Sequence, residues 1–283
     1  MLFNIDIKPE ITYAVTYSNI SNAIAARAYE NVDLYNSIGM SYEAERNRLI
    51  YQAYQNRSIP EYRTTFWAEI FFSYDFSSLL CVVMLVAGLS PCFTHEKESG
   101  MKTLIVAADQ RAKTDLAKIF SAAVYCIFLS FYFAISDLLS LNFLVGVDGL
   151  NMPIYAVETL QKSPFGFSIF SAVFLWTIIR FTALFFISLI ILFISKIVPN
   201  TILSISAGFA VSVMLIMFSI CNKGMLDPGS YISEFSTVDV SGCPILTLYI
   251  SITVLVIKCS VLIFLIIVAD RVPEVVRSCF ARK

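Results

Sequence analysis

The sequence predicts an all-α polytopic membrane protein with five transmembrane helices and an N-terminal external helical hairpin. Three observations predict it. Hydrophobic residues make up 58% of the 283 and charged residues only 14%, which leaves too little polar surface to cover a soluble globule of this size. Of the uncharged apolar runs, Phe76 to Phe93 approaches and Ile197 to Asn222 exceeds the roughly 20 residues that a spanning helix needs. The first 65 residues hold no such run, yet their apolar residues recur at helical spacing.

In that N-terminal region Ile20, Ile24, Ala28, Val32, Tyr35 and Ile38 mark one helix, and Gly39 breaks it. A second, polar helix runs from Tyr42 to Gln55 and ends before Pro60. The first span is expected at 74–93, with Pro91 near its end and Trp67 placed for an interface. The second is expected at 119–138, followed by a loop through Asp148, Pro153, Glu158 and Lys162. A third at 176–196 is joined to a fourth at 199–221 by a tight turn at Pro199 and Asn200, and a fifth at 244–269 leads into a basic tail. The chain thus divides into an external helical region, 1–65, and a membrane domain, 66–283.

Between the first two spans lies a polar stretch, 94–118, reading THEKESGMKTLIVAADQRAKTDLAK. Its side of the membrane follows from lysine and arginine, because short basic loops are retained in the cytoplasm. Lys97, Lys102, Arg111, Lys113 and Lys118 of this stretch fall on one side with Lys196 and the tail residues Arg271, Arg277, Arg282 and Lys283. The opposite loops carry only Lys162 and Lys223 against Asp148, Glu158, Asp227, Glu234 and Asp239. The 94–118 stretch is therefore cytoplasmic and the N-terminal region external.

Four charges fall within or beside the apolar runs. At about 1.5 Å of rise per residue, Asp75, Asp137 and Arg180 reach a similar depth near the outer edge of the hydrocarbon. Either Arg180 is neutralised by Asp75 or Asp137, since unpaired charge in lipid is costly, or each side chain snorkels to the headgroups. Lys258 lies near mid-bilayer and should face protein or water. Cys221 and Cys243 close an outer loop and form either a disulfide or two free thiols, which spacing alone does not decide. The seven cysteines include no CxxC pair, so no metal site is expected, and a net charge of −1 gives no reason to expect a nucleic-acid partner.

The 94–118 stretch resembles the loop after the second span in permease subunits of type-2 ABC transporters. There an acidic residue precedes a glycine, an apolar turn follows, and an arginine leads to a lysine opening the next helix. The matching residues are Glu96 or Glu98, Gly100, Leu104 with Ile105, Arg111 and Lys118, although Ala107-Ala108-Asp109-Gln110 stands where the family often has a proline-containing turn. The resemblance implies short cytoplasmic helices that dock on a separate ATPase subunit, a second permease as partner, and export driven by ATP and magnesium bound in the ATPase. It also implies six spans, of which these five match the second through sixth. The first would be missing, because the chain is a fragment or begins late, or because it is a five-span variant.

The residues give the stretch a physical reading of their own. Glu96 and Glu98 complement a helix N-terminus, Leu104, Ile105 and Val106 make an apolar ridge, and Arg111 and Lys113 a charged rim. The same pattern suits a helix lying on anionic lipid through Lys102, Arg111, Lys113 and Lys118. No nucleotide-binding G-x-x-x-x-G-K-[ST] motif occurs, so ATP would bind elsewhere, and the single histidine, His95, without HExxH or GxSxG, gives no catalytic set. A non-transporting scaffold, sensor or immunity protein whose external hairpin binds a ligand or partner is the alternative. In either case the expected location is a bacterial plasma membrane.

Overall fold

In the computed structural model, which describes residues 3–59, 65–73, 76–108, 110–221, 230–233, 235–240 and 243–269, the N-terminal region forms a long helix, α1 (Phe3–Ile38), and a shorter one, α2 (Ser41–Tyr54). Gly39 makes the break with φ of +81°, a backbone that glycine adopts without a steric penalty. The chain then lays α2 back along α1. Tyr29 packs on Tyr51 with ring centroids 5.5 Å apart, and Asn31 Nδ2 donates to Asn47 Oδ1 at 3.4 Å.

Further helices follow. They are α3 (Phe66–Ser73), α4 (Phe76–Leu89), α5 (Pro91–Glu98), α6 (Met101–Ala107), α7 (Arg111–Leu144), α8 (Ile169–Ile197) and α9 (Thr201–Cys221), all apolar except the polar α5 and the short α6. After the short α10 (Ser230–Ser233), strands β1 (Thr237–Val240) and β2 (Cys243–Leu246) pair antiparallel and lead into α11 (Thr247–Val268). Pro244 lies opposite Asp239 in that ladder, so the last apolar helix begins at Thr247 rather than at 244 as the sequence suggested. A proline lacks an amide donor and closes the strand side of the junction more readily than it would sit inside a helix.

Among the described residues four helical stretches are long and apolar enough to cross a membrane: Leu79–Glu98, Arg111–Leu144, Ile169–Ile197 and Thr247–Val268. The expected count was five. The apolar part of α9 that qualifies, Thr201–Met217, is shorter than the others. Helix α7 shows why these are membrane helices. Ile119, Ala122, Cys126, Leu129 and Phe133 make a buried stripe, while Phe120, Val124, Ile127, Phe131 and Ile135 are exposed at the same spacing on another face. A helix apolar on its outward face as well as its inward one suits lipid and not water.

The chain forms two compact units: Met1–Asp75 with Ser136–Trp176 and Pro228–Ile252, and Phe76–Ile135 with Thr177–Asp227 and Thr253–Lys283. The boundaries between the units fall inside α7, α8 and α11.

In the first unit the organising residue is Arg57, only 5% exposed. Its guanidinium lies 4.4 Å from the ring centre of Tyr54 and 4.7 Å from that of Tyr155. It donates to the Ser163 carbonyl at 2.9 Å, to Tyr17 Oη at 3.2 Å and to the Ala53 carbonyl. Tyr17 stacks on Tyr155 at 5.1 Å, and Tyr13 Oη donates to the Tyr155 carbonyl at 2.7 Å. Residues 147–168, expected as a loop, are thereby held in two 3-10 turns, Ile154–Ala156 and Glu158–Leu160. Trp67, which the sequence placed at an interface, is fully buried and donates its indole N–H to the Asp148 carbonyl at 2.7 Å. A buried indole needs that acceptor, because an unpaired N–H in an apolar interior is costly.

The second unit is built on one apolar core. Cys81, Leu85 and Val86 of α4 pack with Ala122 and Cys126 of α7, Leu189 and Leu192 of α8, and Leu255 and Ile266 of α11. Polar residues collect at one edge of this core, around Phe93.

Candidate functional site: the polar joint at the end of α5

The site lies within the second unit, where α5 meets the turn between α8 and α9. A helix leaves its last carbonyls and first amides without intrahelical partners. Here α5 supplies them. Lys97 Nζ donates to the carbonyls of Ser195 at 3.1 Å, Lys196 at 2.6 Å and Val198 at 2.7 Å, so the three protons of one ammonium meet three acceptors at the end of α8. A cation there also complements the negative end of the helix dipole. One residue on, Glu98 accepts from the Thr201 amide at 2.7 Å and from its hydroxyl at 2.9 Å, satisfying the start of α9. Adjacent residues of opposite charge thus hold the two sides of the same turn.

A second layer of contacts lies beneath. The Ser90 carbonyl accepts hydroxyl donors from Ser195 at 2.6 Å, Ser204 at 3.1 Å and Thr94 at 3.1 Å. Gly208 permits this approach, since a Cβ there would lie 3.3 Å from Ser90 Oγ. Lys118 Nζ forms an ion pair with Glu96 Oε2 at 2.5 Å and lies 3.7 Å from the ring centre of Phe93. Lys196 Nζ, on the same ring at 5.5 Å, is buried against Asp115 Oδ2 at 2.6 Å and the Ile266 carbonyl at 2.5 Å. The two ammoniums both use the Phe93 ring, whose face carries partial negative charge.

The residues singled out from sequence are distributed as follows. Glu96, Glu98 and Lys118 belong to the joint. Gly100 ends α5 with φ of +72°, a conformation that an L side chain adopts only with strain. Leu104 stands out from α6 at 69% exposure, and Ile105 and Arg111 line a pocket beside the joint. The side chain of Val106 lies outside those described. Arg180 is buried and donates to Ser77 Oγ at 2.9 Å, whereas Asp75, one of its two expected partners, lies outside the described residues. Asp137 is half-buried on α7, and Lys258 is half-buried near the middle of α11. Cys243 has an exposed free thiol, and the side chain of Cys221 lies outside those described.

Sequence reasoning did not assign roles to Lys97, Asp115, Lys196 or Thr201. The only local signal was the Pro199-Asn200-Thr201 helix start, which announces an amide in need of an acceptor without saying which residue provides it. Replacing Lys97 with Met, which keeps the stem and removes the donors, is expected to cost about 2–3 kcal/mol from the carbonyls left behind. Thermal unfolding in detergent, with Lys113→Met as a control of equal charge change, measures it. Equal effects for the two variants would show that Lys97 does not cap α8.

The apolar helices define a multi-pass helical membrane protein. No family model, curated protein or solved structure matches the chain.

Proposed function

We propose that this chain is the membrane-spanning subunit of an ATP-driven exporter of the type-2 ABC class. In this reading α9 is the fifth span and α1 and α2 form a hairpin outside a bacterial plasma membrane. A separate ATPase subunit, holding ATP and magnesium, bears on residues 94–118, and a second permease completes the transporter. The observation that carries the reading is the joint itself. Through Lys97 and Glu98 the end of α5 grips both helices of the α8–α9 turn, and through Glu96 it meets α7. Meanwhile α6, the next element, presents Met101 and Leu104 outward at 53% and 69% exposure. A partner pressing on α6 would move α5, and with it the inner ends of α7, α8 and α9 together. That is the mechanical requirement for switching access across a helical bundle.

Leu104→Asp tests this. An exposed side chain contributes little to folding, so stability should change by no more than about 0.5 kcal/mol. Placing a charge in an apolar contact should cost at least about tenfold in affinity for the ATPase subunit. The measurement is recovery of ATPase from native membranes with tagged full-length protein. Recovery of no ATPase with the unaltered protein, or equal recovery with the variant, sinks the reading.

A further inference from the structure

The pocket beside the joint is bounded by α5, α6, α7 and α8 of the second unit. Four of its lining residues are cations: Lys97, Lys102, Arg111 and Lys196. Two are carboxylates, Glu96 and Asp115, and each has an ammonium against it, from Lys118 and Lys196 respectively. Widening the count to the whole of 94–118 with Lys196 gives six cations, adding Lys113 and Lys118, against four acids, adding Glu98 and Asp109. The excess is positive on either count. The floor is apolar, made by Phe93 and Ile105, and the Thr114 hydroxyl is at the wall.

Depth selects the ligand. Phe93 and Lys196 stand at the inner ends of apolar helices, and Ile119, where the buried stripe of α7 begins, lies one turn beyond Asp115. The basic side of the chain is the cytoplasmic side by loop charge. The pocket therefore opens at the level of the inner-leaflet headgroups, where phosphate is the abundant anion, and basic pockets between helices at that level suit lipid phosphates. A guanidinium such as Arg111 matches phosphate oxygens in pairs, while Lys102 adds a point charge at the rim.

We propose that this pocket binds a phosphate group, brought there by the headgroup of an anionic inner-leaflet lipid. The inference uses the sidedness of the chain and not its coupling to an ATPase. A lipid phosphate in the pocket would tie α6 and the start of α7 to the membrane surface, and anionic lipid content would then govern how firmly α6 is held.

The test uses the full-length protein alone, in nanodiscs containing either phosphatidylglycerol or only phosphatidylcholine, with retained lipid counted by native mass spectrometry. The unaltered protein should retain phosphatidylglycerol preferentially. A charge-assisted contact to one bound phosphate is worth at least about tenfold, so Lys102→Gln with Arg111→Gln should lower that preference about a hundredfold. Lys113→Gln, an exposed cation of the same stretch outside the pocket lining, should lower it by no more than the roughly fivefold of diffuse surface attraction. Equal loss in Lys113→Gln would mean diffuse attraction to the membrane surface and overturn the site, as would the absence of any preference in the unaltered protein. A parallel titration with soluble glycerol phosphate in phosphatidylcholine nanodiscs checks the source. Binding as tight as that of the lipid would overturn the lipid and leave a soluble phosphate in its place. Since no ATPase is present, these outcomes are independent of those for Leu104→Asp.

Discussion

Replacing Asp115 with Asn is expected to destabilise the second unit by about 3–5 kcal/mol, because it leaves the ammonium of Lys196 buried without its counter-charge. The side chains of Lys196 and Asp115 are 3% and 8% exposed and meet at 2.6 Å, so water has little access to compensate. Lys196→Met should be less costly than Lys196→Ala, since the thioether fills the space of the stem. The double replacement Asp115→Leu with Lys196→Met should recover most of the loss, for a well-packed apolar pair is often no worse than a buried ion pair. Cys81 and Cys126 are fully buried, so labelling of their thiols during a thermal ramp in detergent reports unfolding of this core directly. A single variant within 1 kcal/mol of the parent would show that the pair is not buried as described.

Arg57→Ala should be comparably severe in the first unit, roughly 3–5 kcal/mol from two desolvated cation–ring contacts and hydrogen bonds from a charged donor. Arg57→Lys should lose nearly as much, because an ammonium has no planar face to lie between Tyr54 and Tyr155 and no fork to reach Ser163 and Tyr17 at once. Hydrogen exchange locates the effect: amides of 154–163 should lose protection while those of α4 and α8 keep it. Full rescue by lysine would show that charge alone matters there. Burial pushes the phenols of Tyr17 and Tyr54 above their usual range, with Arg57 pulling both back. The folded state thus holds those protons more tightly than the unfolded chain does. Their contribution is intact below the ordinary phenol value of about 10 and is lost as pH rises past it, so the first unit should weaken in strong alkali and not in acid.

Much of the fold was legible because it rests on local rules. Gly39 was readable as a break, and it adopts positive φ. The long uncharged runs were readable as apolar helices, although their ends were not: α7 extends from Arg111 to Leu144, beyond the expected 119–138, because polar residues continue a helix outside the hydrocarbon without any change of backbone. The pairing of β1 with β2 was missed despite a cue, four strand-forming positions on either side of Ser241-Gly242. The candidate stretch was located by its charge, yet its wiring was out of reach. Glu98 and Thr201 are 103 positions apart, and Arg57 and Ser163 are 106. No periodicity links such residues; only the packing of apolar helices between them brings them together.

The separation between Lys97 and the turn it holds has a consequence for how the protein is made. Synthesis delivers α5 about a hundred residues before Ser195, Lys196 and Val198 exist. The donors for the end of α8 and the acceptor for the start of α9 are therefore already waiting when that helical pair emerges from the ribosome. The turn is completed only against an earlier part of the chain, which makes the α8–α9 turn a late step in folding and α5 its template.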